Sequence, residues 1–197
     1  MDEISIFIYK VDYSLDKNYY ADELSEDILK HCYSYKIEKD YKNSCFAYFK
    51  LRIKIKELYN IDINEIPLLF NEHGKPVCSN IHFSISHSLG YVAFAISKKE
   101  VGFDIEFLEN IKDKENILSI LNASDKVDAL IKWSMKEAYA KFLGTGLNSS
   151  IFRNDLSVFC YYKLIDLDNN KGVISFTDGS KIDEKSYKIF YNDKIVN

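Results

Sequence analysis

Ile4, Ile6 and Ile8 alternate with Ser5 and Phe7, a period of two that predicts an opening strand with one fully apolar face. From about Ser25 to Tyr59 the period lengthens. Phe46, Phe49, Ile53 and Leu58 recur near every 3.6 residues with Lys50, Lys54 and Lys56 between them, which predicts a core helix with a basic outer side. Pro67 and Pro76 bracket a loop carrying Asn71-Glu72-His73-Gly74-Lys75, and the run Ile81 to Ser88 follows. Tyr91 to Ile96 and Val101 to Phe107 read as strands joined by a four-residue hairpin connection, Ser97 to Glu100. Ser124 is the expected N-cap ahead of Asp125, and the spacing of Val127, Leu130, Ile131, Met135, Ala138 and Phe142 predicts a helix that stops at Gly144. Beyond Gly144-Thr145-Gly146-Leu147 the chain reads as short strands, Ser157 to Leu164, Gly172 to Phe176 and Ser186 to Tyr191, with Asp178-Gly179 as a turn signal. The order strand, helix, hairpin, helix, strands predicts an α+β fold.

With 197 residues the chain suffices for one domain of ordinary size or two small ones, and 29 aromatics (15 Tyr, 13 Phe, 1 Trp) provide ample area to bury. Lys and Arg total 26 against 30 Asp and Glu, a formal net charge of −4, which argues against a partner bound through a phosphate backbone; no nucleic acid is expected. The cysteines Cys32, Cys45, Cys78 and Cys160 form no C-x-x-C pair, so reduced thiols in a cytoplasmic protein are expected. The N-terminus lacks the basic and apolar regions of a signal peptide, and no apolar run approaches the roughly 18 residues of a membrane span, so no membrane association is expected.

Three local patterns carry candidate chemistry. In Val101-Gly102-Phe103-Asp104-Ile105-Glu106 the apolar residues share one face of a strand, and Asp104 and Glu106 project together from the other, a pairing suited to a hard cation or to a plain solvent-facing strand. Gly102 precedes them on that polar face, where its missing side chain lets a ligand or another backbone approach closely. Glu137 and Lys141 are neighbours one helical turn apart, as in a surface ion pair or a metal carboxylate beside a phosphate-binding ammonium. Ser86-His87-Ser88 offers hydroxyls, backbone amides and an imidazole to an anion, whereas a lone histidine is more often structural.

Taken together, Gly74-Lys75-Pro76, Phe83-Ser84-Ile85-Ser86-His87-Ser88, Gly102-Phe103-Asp104-Ile105-Glu106 and Trp133-Ser134-Met135-Lys136-Glu137-Ala138-Tyr139-Ala140-Lys141 with Gly144-Thr145-Gly146-Leu147 closely resemble the 4′-phosphopantetheinyl transferase superfamily, in its Sfp-like, surfactin-synthetase-activating branch. The resemblance implies transfer of the phosphopantetheine arm of coenzyme A to a serine of an apo acyl carrier or peptidyl carrier protein, with release of adenosine 3′,5′-bisphosphate. It implies two similar α/β halves related by pseudo-twofold symmetry, residues 1–98 and 99–197, in a monomer with coenzyme A and Mg²⁺ between them; Mn²⁺ suits the same oxygen ligands. By position, Asp104, Glu106 and Glu137 correspond to the metal carboxylates, and Glu137 also to the base for the carrier serine. Lys141 corresponds to the pyrophosphate lysine, Ser86 and His87 to the pair on the coenzyme A phosphates, Gly74, Lys75 and Pro76 to the adenine end, and Ser44 to a residue at the 3′-phosphate.

The chain departs from the family pattern at Ser84, where Asn is frequent, and at His31 and Asn43, where Lys and Arg are common; Lys30, Lys36, Lys39 or Lys42 are the candidates to compensate. The tail is shorter than usual for the family. Carrier contact is expected around Gly146, Leu147, Ile151 and Phe152, residues that equally suit a core, and Lys50, Arg52, Lys54 and Lys56 are candidates to steer an acidic carrier. The competing reading is a non-catalytic homologue that binds coenzyme A or a carrier.

Overall fold

In the computed structural model, which describes residues 3–65, 68–78, 81–111, 116–180 and 187–196, helices and sheets are mixed as expected for the α+β class. Pro67 and Ser186, on which two expectations rest, lie outside the described residues. The opening strand β1 (Ile4–Lys10) sits inside a sheet ordered β10-β9-β1-β5-β4, with β4 His82–Ser88, β5 Tyr91–Ser97, β9 Tyr187–Tyr191 and β10 Lys194–Val196. A second sheet is ordered β6-β8-β7, with β6 Gly102–Phe107, β7 Tyr161–Leu167 and β8 Asn170–Thr177. A short hairpin joins β2 (Leu69–Phe70) to β3 (Pro76–Val77).

Both faces of β1 are covered, beyond the single apolar face its alternation predicts. Ile4, Ile6 and Ile8 pack with Phe103, Ile105, Phe107, Ile174 and Phe176 between the two sheets. Phe7 and Tyr9 face the opposite way, into a core with Phe46, Leu51 and Ile55 of helix α2 (Glu38–Tyr59). The helical stretch that begins near Ser25 is therefore two helices, α1 (Glu26–Tyr33) and α2, and the buried stripe of α2 runs through Cys45, Phe46, Tyr48, Leu51 and Ile55, while Leu58 is exposed. Asn60 ends α2 in the left-handed conformation (φ 57°) that its short polar side chain tolerates.

The expected hairpin across Ser97 to Glu100 is not formed. β5 pairs with β1 and β4, and β6 leaves for the other sheet, where its antiparallel partner is β8, some 70 residues later. The hairpin is instead β4–β5, closed at Leu89-Gly90, both at positive φ as a two-residue type I′ turn requires. The same turn closes β7–β8 at Asp168-Asn169 and β9–β10 at Asn192-Asp193. Strand β7 begins at Tyr161 rather than Ser157 and runs on to Leu167. Strand β9 then pairs in parallel with β1, so the last described residues complete the first sheet.

Helix α3 (Ile117–Ile120) precedes helix α4 (Lys126–Leu143), which covers the outer face of the second sheet through Ala129 and Leu130 against Val173. Asp125, not Ser124, is its N-cap, accepting from the amides of Val127 (2.8 Å) and Asp128 (2.9 Å). Ser124 instead donates from its backbone and hydroxyl to Asp128 Oδ2. The helix stops at Gly144 in the left-handed conformation (φ 67°), as expected. A short helix α5 (Ser149–Arg153), capped by Asn148, stands where only strands were expected. All four cysteines are buried and free, and no described helix is long and apolar enough to cross a membrane.

Candidate active site

β4 and β6 are the facing edges of the two sheets, and the register there builds the site. Ser84, Ser86 and Ser88 pair across β5 with Ala95, Ala93 and Tyr91, so they point toward the second sheet. Ser84 Oγ accepts from the Phe103 amide (3.0 Å) and donates to the Phe103 carbonyl (3.4 Å); at this position a hydroxyl joins the sheets through backbone alone. Ser86 Oγ donates to Asp104 Oδ1 (2.7 Å), and Ser88 Oγ donates to Glu106 Oε2 (2.8 Å). The two carboxylates thus leave β6 on the face opposite Phe103 and Ile105, toward α4.

Gly102 resolves the choice left by its sequence context in favour of a backbone. A Cβ built there would lie 2.0 Å from the Ala138 carbonyl oxygen and 2.5 Å from the Phe142 nitrogen, so α4 rests directly on β6. That contact carries Glu137 and Lys141 to the carboxylates. Lys141 Nζ donates to Asp104 Oδ1 (2.8 Å), with Asp104 2% exposed. Lys141 therefore pairs across 37 residues with Asp104 rather than forming a plain surface pair with Glu137.

These side chains line a cleft of about 450 Å³. Ser44, Gly74, Lys75, Pro76, Ser86, His87, Asp104, Glu106, Glu137 and Lys141, spread over nearly 100 residues of sequence, all border it. So do His31 and Asn43, the positions at which the chain departs from the family pattern. His31 stacks on Phe70 (ring centroids 4.2 Å apart, 6° between planes), and burial holds its imidazole below the ordinary histidine value. Ser44 Oγ lies 3.3 Å from Cys32 Sγ, and Asn43 Oδ1 accepts from Tyr13 (2.6 Å). The compensating lysines are elsewhere: Lys42 is tied to the carbonyls of Tyr13 and Leu15, Lys30 pairs with Glu26 and Lys39 lies over the Tyr13 ring, and neither these nor Lys36 borders the cleft.

Lys75 borders the cleft, but its ammonium is bonded to Glu100 and to the Phe142 carbonyl (2.7 Å) at the end of α4. Asn71 Nδ2 reaches the Gly144 carbonyl (2.8 Å) beside it, so the β2–β3 loop caps the C-terminus of α4. Gly74 makes the turn at φ 77°.

Asp104 Oδ2 is buried with no hydrogen-bond partner, an acceptor that costs free energy unless something positive meets it. Burial, and then the charge of Asp104, push the Glu106 carboxyl above its ordinary value, while the bonds from Asn110 and Ser88 pull it back. Among the described residues no three His, Cys, Asp or Glu groups stand close enough to enclose an ion, and Lys141 serves as the cation beside Asp104. By chemistry the donor set fits a hard cation: carboxylate oxygens, one of them orphaned, on the wall of a cleft.

Of the expected carrier contacts Ile151 is buried, Leu147 and Phe152 are half-buried and Gly146 is exposed. Ile151 is 1% exposed in a core with Met135, Ala140, Leu156 and Cys160, against which Leu147 also packs. Phe152 lies against Trp133 (ring centroids 6.2 Å), leaving Gly146 as the one of the four on the cleft wall. On the basic face of α2, Arg52 is paired with Glu23 and Asp62, Lys54 with Glu57 and Asp193 and Lys56 with Asp62, while Lys50 lies over the Tyr9 ring. Sequence reasoning missed Tyr35, Tyr48 and His73 on the cleft wall and Asn110 beside Glu106. Only His73 had a visible signal, its place in the loop with Gly74-Lys75-Pro76.

No family model matches the chain. The 4′-phosphopantetheinyl transferase gsp of Aneurinibacillus migulanus is 31% identical over 159 residues, 73% of this chain and 67% of its own length. The 4′-phosphopantetheinyl transferase psf-1 of Bacillus pumilus is 32% identical over 113 residues, 50% of this chain and 48% of its own length. The 4′-phosphopantetheinyl transferase Sfp of Bacillus subtilis (strain 168) is 27% identical over 140 residues, 64% of this chain and 62% of its own length. The chain thus spans from about half to two thirds of the length of these relatives.

Proposed function

From the premise that the chain belongs to the 4′-phosphopantetheinyl transferases, a family of transferase enzymes, we propose that it moves the phosphopantetheine arm of coenzyme A to a serine of an apo acyl carrier or peptidyl carrier protein. The observation that carries this reading is the convergence, on one cleft, of every residue aligned with the family's site, around a buried carboxylate oxygen that lacks a partner. The carrier serine oxygen forms a bond to the phosphorus that bears the pantetheine. The bond from that phosphorus to the bridging oxygen breaks, and adenosine 3′,5′-bisphosphate leaves with the electron pair. The serine proton passes to a carboxylate oxygen of Glu137, which lines the cleft half-buried on α4.

Asp104, Glu106 and Glu137 would hold Mg²⁺, which supplies charge neutralisation at the pyrophosphate oxygens when bound. Lys141, one turn beyond Glu137 and 2.8 Å from Asp104 Oδ1, binds a phosphate oxygen. Ser86 orients Asp104, and His87 faces the phosphates from the next position of β4. Ser44, Gly74, Lys75 and Pro76 shape the nucleotide end of the cleft.

The reading includes two similar halves, 1–98 and 99–197, supported by a long helix laid against a sheet in each; β9 and β10, which cross into the first sheet, are the departure from that symmetry. It also includes a cytoplasmic monomer, supported by four free buried thiols and two sheets packed within one chain.

The test is the intact mass of an apo acyl carrier protein and an apo peptidyl carrier protein after incubation with this protein, coenzyme A and Mg²⁺, beside a chelator control. A chelator-sensitive gain of one phosphopantetheine is expected on at least one of them. His31 and Asn43 at the cleft and the engagement of Lys75 by Glu100 favour, as a second reading, a homologue that binds coenzyme A without transfer. Binding of coenzyme A with no mass gain on either carrier would select it.

A further inference from the structure

Resting on the reading of Asp104, Glu106 and Glu137 as metal carboxylates, we propose that Ser88 and Asn110 are positioning residues that clamp Glu106 for its cation. Glu106 ends the polar face of β6, and a one-turn 3-10 segment, Leu108–Ile111, follows it directly. That turn brings Asn110 back over the strand end, four residues on. Asn110 Nδ2 donates to Ser88 Oγ (2.6 Å) and to Glu106 Oε2 (2.9 Å), and Ser88 Oγ donates to the same Oε2 (2.8 Å).

The direction of this triangle is set by chemistry. An amide nitrogen only donates, so Ser88 must accept from Asn110 and spend its single proton on Glu106. Both donors fall on Oε2, so Oε1 keeps its lone pairs for a cation. A glutamate side chain has three rotatable bonds, and fixing one oxygen from two directions removes most of that freedom before an ion arrives.

The two donors come from separate elements, β4 of the first sheet and the turn after β6 of the second, so the clamp also registers Glu106 against Asp104, which Ser86 holds from the same strand. Neither Ser88 nor Asn110 borders the cleft, which separates them from residues that touch substrate.

The test is a titration of the whole 197-residue chain, saturated with coenzyme A, with Mn²⁺, following free Mn²⁺ by electron paramagnetic resonance, with coenzyme A affinity in the absence of metal as the control readout. Asn110→Ala and Ser88→Ala are each expected to weaken Mn²⁺ binding by about 10- to 100-fold, the range for partners of metal ligands. The double variant is expected to lose less than the product of the two single losses, because both donors serve one oxygen. Ser88→Thr, which keeps the hydroxyl, is expected to retain wild-type affinity, and metal-free coenzyme A affinity is expected to stay unchanged throughout. Asn110 is exposed, so its variant keeps the test open if Ser88→Ala fails to fold. Wild-type Mn²⁺ affinity in Asn110→Ala overturns the clamp while leaving the metal reading intact. A wild-type protein that binds no Mn²⁺, or binds it equally well as Asp104→Asn, overturns the metal reading and the clamp with it.

Discussion

Gly102→Ala is the smallest substitution that tests whether the contact between β6 and α4 builds the site. The added Cβ would stand 2.0 Å from the Ala138 carbonyl oxygen, 2.5 Å from the Phe142 nitrogen and 2.6 Å from the Phe142 Cβ, where real Cβ contacts stay beyond 3.0 Å. The first two obstacles are helix backbone and cannot rotate aside, so the C-terminal turns of α4 must withdraw by about 1 Å from β6. Forced overpacking of this kind costs about 1–3 kcal/mol, and the upper end applies because backbone meets backbone. For a chain of this size, about 3 kcal/mol corresponds to a fall in Tm of roughly 6–12 °C. Glu137 and Lys141 ride on the displaced turns while Asp104 and Glu106 stay on β6, and a misplacement of about 1 Å at reacting groups costs on the order of 100-fold in rate. The assays are thermal unfolding followed by circular dichroism and the rate of carrier mass gain at 10 °C below the variant's own Tm. A Gly102→Ala protein within about 1 °C of wild type and equally active would refute the account of α4 resting on β6.

Three further outcomes follow from the same geometry. Lys141→Ala leaves the buried Asp104 carboxylate without its ammonium and is expected to cost about 1–3 kcal/mol, less than a fully buried pair because Lys141 is 29% exposed; Mg²⁺ should then raise Tm more in the variant than in wild type, measured by calorimetry. Burial pushes Asp62 upward, but the Arg52 guanidinium, the Asn64 amide and Lys56 together hold it below its ordinary value of 3.8. The stability this supplies is present above 3.8 and lost as pH falls through the lower folded value, so Asp62→Asn should flatten the acid limb of denaturant midpoints below pH 4 while leaving carrier mass gain unchanged. Asp125→Ala should cost about 1 kcal/mol in urea unfolding and Ser124→Ala distinctly less, because Asp125 holds both first-turn amides of α4.

Much of the local structure was legible because its causes are local. Helix α4 was readable from its 3.6-residue period and from Gly144, which adopts the left-handed conformation its lack of a Cβ permits. Two misses had local signals as well. Asn148 ahead of Ser149–Arg153 is a cap, and Asn192-Asp193 is a turn pair that marks the β9–β10 hairpin. Others had none. Ser97 to Glu100 has the length of a hairpin loop, yet β5 already has β1 and β4 on its two edges, so β6 must seek its partner in another sheet. The basic residues of α2 look like a solvated face, yet Arg52 meets Glu23 and Lys54 meets Asp193, both from outside the helix and far along the chain.

The candidate site divides along the same line. Alternation on β6 and the i, i+4 step on α4 placed Asp104 beside Glu106 and Glu137 beside Lys141, since a strand repeats every two residues and a helix every 3.6 whatever surrounds them. By itself the sequence determined those pairs, the α+β class and the kinship with the transferases. Tertiary structure alone decided that Ser84, Ser86 and Ser88 would join the two sheets, that Lys141 would settle on Asp104, that Lys75 would cap α4, and that Ile151 would lie inside. Each of these depends on which face of one element meets another across tens of residues, and that is settled by the packing of the whole core.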